Sequence, residues 1–207
     1  MEIKDRILEA SEDLFLKYGV KSITMDEIAR HLSISKKTIY QYFQDKDEVV
    51  NLVIKSHFER NETLMCNVFT ASVNAIDEMM QVSDHLRSTV ANIHRSLLFD
   101  LQKHHPQAWK IFINHKRHFI LKQITNNLER GVREGLYRPE IRIDMLARLR
   151  IEQVQLIFDN EVFPAEQFHF IDVQEQFLDH FLRGIVTEEG MLLLNQCYQK
   201  SAAGPKP

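Results

Sequence analysis

Glycine and proline are scarce, six and five in 207 residues, and three of those eleven fall in the closing tail Gly204-Pro205-Lys206-Pro207. No sustained alternating Val/Ile/Thr run lies between turn residues, so a β-sandwich or barrel is excluded and helical spacing is what recurs. No stretch of about 18 apolar residues exists, so no helical membrane span is expected, and the amino terminus MEIKDRILEASEDLF lacks a secretory apolar segment. Cysteine is limited to Cys66 and Cys197, far apart and without a CxxC or histidine pattern. They read as two reduced thiols of a cytoplasmic protein, both expected in the core. A Gly-rich phosphate loop, a GxSxG turn and an HExxH pair are all missing, which argues against an enzyme of those types. An overall positive field is missing too: the formal charge is −3 and the pI about 6.4, so any role on nucleic acid rests on local charge.

What is present is 44% hydrophobic and 27% charged sequence, enough for one or two well-buried domains. The expected class is all-α. Ile3, Ile7, Ala10 and Leu14 make the stripe of a first helix, which Gly19 stops. Thr24 with Glu27 is a capping box for a short second helix that buries Ile28, Ala29 and Leu32. Ser35 caps a third, anchored by Ile39 and Phe43, and Lys46-Asp47-Glu48 opens a longer fourth. Beyond residue 70, helices are expected over 77–101, from Pro106 to Gly135, after Asp144, from beyond Pro164 to Gly184, and over 191–198. Gly131, inside one of them, costs about 1 kcal/mol against alanine. Residues 1–46 form one domain, 47–200 a second, and 201–207 a tail expected to be disordered.

Three short helices in the first 45 residues, the last two separated by a tight turn, have helix-turn-helix proportions. In that motif the second helix of the pair enters the major groove. Its exposed face would hold Lys36, Lys37, Gln41 and Tyr42, with Thr38 and Tyr40 alongside. Lysine suits guanine edges or phosphate, glutamine pairs with adenine, threonine touches a thymine methyl, and tyrosine hydroxyls bond phosphate. Thr24 and Lys46 stand at helix N-termini, where backbone N–H groups favour anions. Residues 1–60 hold ten Lys/Arg against eleven Asp/Glu, yet from Ala29 to Lys46 four cations (Arg30, Lys36, Lys37, Lys46) face only Asp45. The competing reading is a solvated helix face with Tyr40 and Tyr42 at the edge of a core.

Ala10, Leu14-Phe15, Tyr18-Gly19, Thr24-Met25, Ile28-Ala29, Leu32, Ile34-Ser35-Lys36, Thr38, Tyr40, Tyr42-Phe43, Lys46 and Glu48 together resemble the amino-terminal domain of the TetR (tetracycline-repressor-like) family of transcriptional regulators. The resemblance covers about the first quarter of the chain. It implies a two-domain helical homodimer that binds a palindromic double-stranded DNA operator and leaves it when a small-molecule effector fills the carboxy-terminal domain. It assigns phosphate contacts to Thr24, Tyr42 and Lys46, base or groove contacts to Lys36, Lys37, Thr38 and Gln41, and packing or phosphate contact to Tyr40. One position departs: Ser33 stands where the family often has glycine, because the turn can require positive φ.

The rest of the chain is less specific. Interior candidates for an effector pocket are Met65, Phe69, His94, Phe99, Trp109, Phe112, His115, Phe119 and Gln153, the polar ones being the more informative because a buried histidine or glutamine needs a partner. Apolar stripes Ile151, Val154, Ile157, Phe158 and Phe170, Val173, Phe177, Leu178, Phe181, Leu182 suit either a dimer interface, on Ile151, Val154, Phe158, Phe177, Leu178 and Phe181 above all, or an intrachain core. No metal site is expected, since His115 and His118 have no further ligand at suitable spacing beyond Asp100. No cofactor is implied beyond the unknown effector. The alternative to a DNA-binding regulator is a helical protein–protein interaction module without DNA affinity.

Overall fold

The computed structural model describes residues 2–90 and 93–203, and among them the regular structure is helical apart from one isolated antiparallel bridge, Tyr137 to Val186. Local signals place the first four helices. Helix α1 (Ile3–Tyr18) buries Ile7, Ala10 and Phe15 and ends at Gly19, whose φ of 79° and N–H bond to the Phe15 carbonyl terminate it. Helix α2 (Met25–His31) starts at a complete capping box between Thr24 and Glu27. Helix α3 (Lys36–Tyr40) starts at Ser35, and α4 (Lys46–Ala71) is the longest in the chain.

The later helices depart from the expected boundaries. The helix expected over 77–101 is two, α5 (Ala75–Val90) and α6 (Leu97–His104). Before α6 the His94 N–H leaves the helical pattern to bond the Leu16 carbonyl at 2.6 Å. The helix expected from Pro106 is α7 (Pro106–His115) and α8 (Leu121–Arg133), joined through a π-helical turn at Lys116–Ile120. Then follow α9 (Ile143–Leu156), α10 (Phe170–Ile185) and α11 (Glu188–Ala203). The last helix takes in residues 201–203 of the expected tail, and 204–207 lie outside the described residues. Cys66 is exposed, not the core thiol expected, and Cys197 is only half-buried, packed against the edge of the second unit's core.

The described chain divides into two compact units, 2–63 with 93–116 and 64–90 with 117–203, rather than at residue 46. The reason is core membership. Leu97, Leu101 and Ala108 of α6 and α7 share one apolar cluster with Ile7, Phe15, Ile28, Ile39, Phe43 and Val49. The Asp100 carboxylate accepts the Lys21 N–H at 3.0 Å. The division therefore falls inside α4.

The second unit is built round Ile76, Leu128, Tyr137, Leu178, Phe181, Leu182 and Leu194. The sequence-level cost of Gly131 is explained here. A Cβ at that position would lie 2.0 Å from the Tyr137 ring, so glycine is what lets the buried tyrosine pack on α8. The Tyr137 hydroxyl donates toward the Ala75 carbonyl and Asn127 Oδ1, each at 3.2 Å, and Asn127 Nδ2 donates to Glu78 at 2.9 Å. Arg130 completes this buried polar network by donating to Glu78 at 2.9 Å and to Ser72 at 2.8 Å.

Candidate nucleic-acid interface

Burial of Ile39 and Phe43 fixes how α3 rolls. With those two at 0% and 1% exposure, Lys36, Lys37, Tyr40, Gln41 and Tyr42 are left on the outside. Tyr40 and Tyr42 keep 46% and 41% of their surface exposed, so neither is the core-edge residue that the competing reading required. The helix is a single turn and a half. Ser35 stabilises it by accepting the Thr38 N–H at 3.0 Å, and the Ser35 and Thr38 hydroxyls lie 2.8 Å apart. The residues that follow α3 continue its winding, with Tyr42 N–H bonding the Ile39 carbonyl at 3.0 Å and Phe43 N–H the same oxygen at 3.1 Å. Tyr42 is thus held rigidly although it lies beyond the helix end.

Entry to α3 depends on Ser33. Its φ of 55° is the single positive value at a non-glycine residue among the described residues. The turn does need the left-handed conformation, and serine adopts it.

The free cations differ in what they already hold. Lys37 is exposed and has no ion pair among the described residues. Lys36 reaches back to Asp26 on α2, Nζ to Oδ2 at 2.6 Å, and that bond holds its pKa above the ordinary lysine value. Lys46 Nζ donates to the Val20 carbonyl at 2.6 Å and lies 6.0 Å from the Phe15 ring centroid. Burial lowers its pKa against the opposing pull of Asp100, Asp47 and Glu27. Ammonium has three donors, so Lys46 retains capacity for another acceptor while its stem is anchored. Thr24 is more fully engaged: its N–H and its hydroxyl both donate to Glu27 Oε2, at 2.6 and 2.8 Å, and Oγ1 accepts the Glu27 N–H. A phosphate at Thr24 would have to displace the Glu27 carboxylate. Nothing in the residue pattern signals the Asp26 and Val20 partners, which depend on how α3 packs on α2 and how the start of α4 meets the loop after α1. Glu27 was legible as the third residue of the box.

The candidates for an effector pocket are divided between the two units. In the first unit, His94 is exposed in an open groove of about 640 Å³ that Tyr18, Arg30 and His31 also line. Phe99 is 58% exposed, because α6 buries Leu97, Asp100 and Leu101 instead, and Lys103 lies over its ring at 5.2 Å. Trp109 and Phe112 pack at 5.1 Å, and Phe58 stacks on His115 at 4.4 Å. His115 Nδ1 meets Glu62 at 2.8 Å, and His105 Nδ1 meets Asp47 at 2.7 Å. In the second unit, Phe69 and Phe119 lie 6.4 Å apart, Met65 is half-buried, and the Oε1 of Gln153 is buried without a partner among the described residues.

The candidates for a dimer interface separate likewise. Ile151, Leu178 and Phe181 are buried within the unit, at 6%, 3% and 4% exposure. Val154 is half-buried, Phe158 packs on Phe170 at 5.0 Å, and Phe177 on Phe163 at 5.4 Å. A different stripe, Met145, Leu149 and Leu156 on the outer face of α9, is exposed.

Residues 7–53 match the family model of bacterial regulatory proteins, tetR family. The chain is 26% identical over 188 residues to the uncharacterized HTH-type transcriptional regulator YvaF of Bacillus subtilis, covering 89% of this chain and 96% of that one. It is 23% identical over 201 residues to the HTH-type transcriptional repressor KstR2 of Mycolicibacterium smegmatis, covering 90% and 92%. Among solved structures, a TetR-family transcriptional regulator from Agrobacterium tumefaciens superposes with a TM-score of 0.75 at 15% identity over 89% of this chain and 97% of that one, a likeness of fold.

Proposed function

The chain belongs to the TetR family of bacterial regulatory proteins, and from that premise we propose that it is a cytoplasmic repressor that acts as a homodimer and leaves its operator when a small molecule binds. It is a DNA-binding transcriptional regulator, and no catalytic step is assigned to it. The observation that carries the reading is the roll of α3. Burial of Ile39 and Phe43 turns Lys37, Tyr40, Gln41 and Tyr42 outward together on a helix of the size that a major groove admits. In this reading Lys37 and Gln41, four residues apart, read base edges, while Tyr40, Tyr42, Lys36, Thr38, Lys46 and Thr24 position the backbone. Lys36 exchanges Asp26 for phosphate on docking, and Thr24 contributes once Glu27 has moved aside.

Two copies are needed because one turn and a half of helix reads only a few base pairs, and a two-fold dimer doubles the site at a spacing of about 34 Å. The exposed α9 stripe Met145, Leu149 and Leu156 is the apolar surface that supports pairing. An effector releases DNA only by its difference in affinity for the bound and free conformations. Domain roles follow the same reading: the amino-terminal helices read DNA, and the carboxy-terminal helices bind effector and partner.

Fluorescence anisotropy with double-stranded DNA from the region upstream of the chain's own gene tests this. Affinity should fall steeply between 50 and 200 mM salt, by about 10³-fold or more if six phosphates are neutralised. Lys37→Ala and Gln41→Ala should relax base preference, and Tyr42→Phe should weaken all sequences alike. Absence of binding, or binding untouched by salt and by these substitutions, would instead favour a protein-interaction module.

A further inference from the structure

Most buried polar side chains of the second unit are paired, as the Asn127, Glu78 and Arg130 network illustrates. One group is not. Arg150 on α9 is 4% exposed, its Nη1 is wholly buried without a hydrogen-bond partner among the described residues, and its guanidinium carbon lies 5.5 Å over the Phe181 ring. Burial alone, with no opposing carboxylate, lowers its pKa to about 10. Gln153, one turn further along α9, has its Oε1 buried and unpaired. Gln174 on α10, 1% exposed, donates from Nε2 to Ser83 Oγ of α5 at 2.8 Å and leaves its Oε1 unpaired. Rotating that carboxamide by half a turn would satisfy Ser83 with the oxygen and orphan an N–H instead, so one polar group stays without a partner either way.

These groups share a seam. Phe158, just past α9, meets Phe170 at the start of α10, and Arg150 in the middle of α9 meets Phe181 in the last turns of α10, so the two helices run antiparallel. Gln153 is displaced from Arg150, and Gln174 from Phe181, toward the same end, along a length of about 10 Å. Phe181, Leu178 and Ile151 supply buried apolar surface beside them.

Resting on the regulatory reading above, we propose that this seam is the effector site and that the effector is an apolar monocarboxylate, its carboxylate taken by Arg150 and an adjoining polar group by Gln153 and Gln174. An isolated buried cation is strongly unfavourable until an anion joins it, and the planar guanidinium fork matches a carboxylate bidentately. A single uncompensated cation neutralises one negative charge. Arg87 of α5 is already paired with Glu175 at 2.6 Å, so a dianionic phosphate would remain in excess. A buried water could satisfy the glutamines but would leave the guanidinium charge standing. Because Arg150 is buried within the unit, a second copy of the chain docked on the outer face of α9 cannot supply the anion.

The test is calorimetric titration and thermal unfolding of the full chain with octanoate, decanoate and 3-phenylpropanoate, each against its primary amide. At least one acid should bind ten-fold or more tightly than its amide and raise Tm. Arg150→Met should abolish that preference, while the ligand-free variant melts at or above the wild-type Tm, since a charge without a partner is gone and the volume is kept. Arg150→Lys, which retains charge but not the fork, should fold and lose most of the preference, and it decides the matter if the methionine variant does not fold. No acid outbinding its amide, or an undiminished preference in either variant, overturns the assignment. DNA binding is measured alongside. DNA binding without acid preference removes the ligand assignment alone, and acid preference without DNA binding removes the regulatory reading alone.

Discussion

Ser33 holds a backbone conformation that costs an L-residue about 1 kcal/mol, at the turn that orients the reading helix. Its side chain is exposed, so nothing visible repays the cost through packing. Ser33→Gly should therefore stabilise the chain by about 0.5 kcal/mol, the relief of strain being partly offset by the extra freedom glycine has when unfolded. A urea melt measures this, and a lower midpoint would mean that the serine hydroxyl has a role in the turn. The position was legible in the sequence because a turn between two capped helices obeys local rules, as did the Thr24–Glu27 box and the Gly19 stop. Gly131 and Arg150 were not. The first makes sense only once Tyr137, six residues on, folds back against α8. The second contradicts the ordinary rule that arginine faces water, and no spacing in the sequence announces the exception.

At the scale of elements, the first four helices were readable and the later boundaries less so, for one physical reason. Between residues 77 and 101 there is neither glycine nor proline, and the break before α6 arises from a tertiary bond, His94 N–H to the Leu16 carbonyl. The pairing of α1 with α4 is likewise tertiary. Glu12 accepts from His57 Nδ1 at 2.7 Å and from Arg60 Nη2. Burial pushes the Glu12 pKa up, but the bonds from His57 and Arg60 outweigh it and hold the net value below the ordinary 4.5. A carboxylate whose folded pKa is depressed contributes stability that is present above its unfolded pKa and lost as pH falls through the folded one. Wild-type stability should thus decline on acidification below about pH 4.5, and Glu12→Gln should flatten that limb while costing about 1 kcal/mol at neutral pH. Denaturant midpoints at pH 7, 5 and 4 check it. Identical acid limbs in the two proteins would show that the α1–α4 bonds contribute nothing.

At the scale of the molecule, the apolar stripes on α9 and α10 had been open to two uses, and burial assigns their members unequally. Leu178 and Phe181 are enclosed by their own chain, whereas Met145, Leu149 and Leu156 on α9 remain 57%, 51% and 37% exposed. Their spacing of four and seven residues places them along one helical face, the arrangement that a self-complementary two-fold contact requires. Hydropathy alone could not make this division, because core and interface residues are drawn from the same side chains. Leu149→Glu puts a charge at the middle of the stripe. If the stripe pairs two copies, two glutamates must approach across the axis, and the dimer should weaken by at least 100-fold while the isolated chain keeps its stability to within about 0.5 kcal/mol. Sedimentation equilibrium reads the first quantity and a urea melt at low protein concentration the second. DNA affinity should fall together with dimer affinity, since α3 itself is untouched and only the joining of two half-sites is lost. A variant that remains dimeric, or a monomer that binds operator as tightly as the wild type, would remove α9 from the assembly and leave the two reading helices to be coupled by another surface.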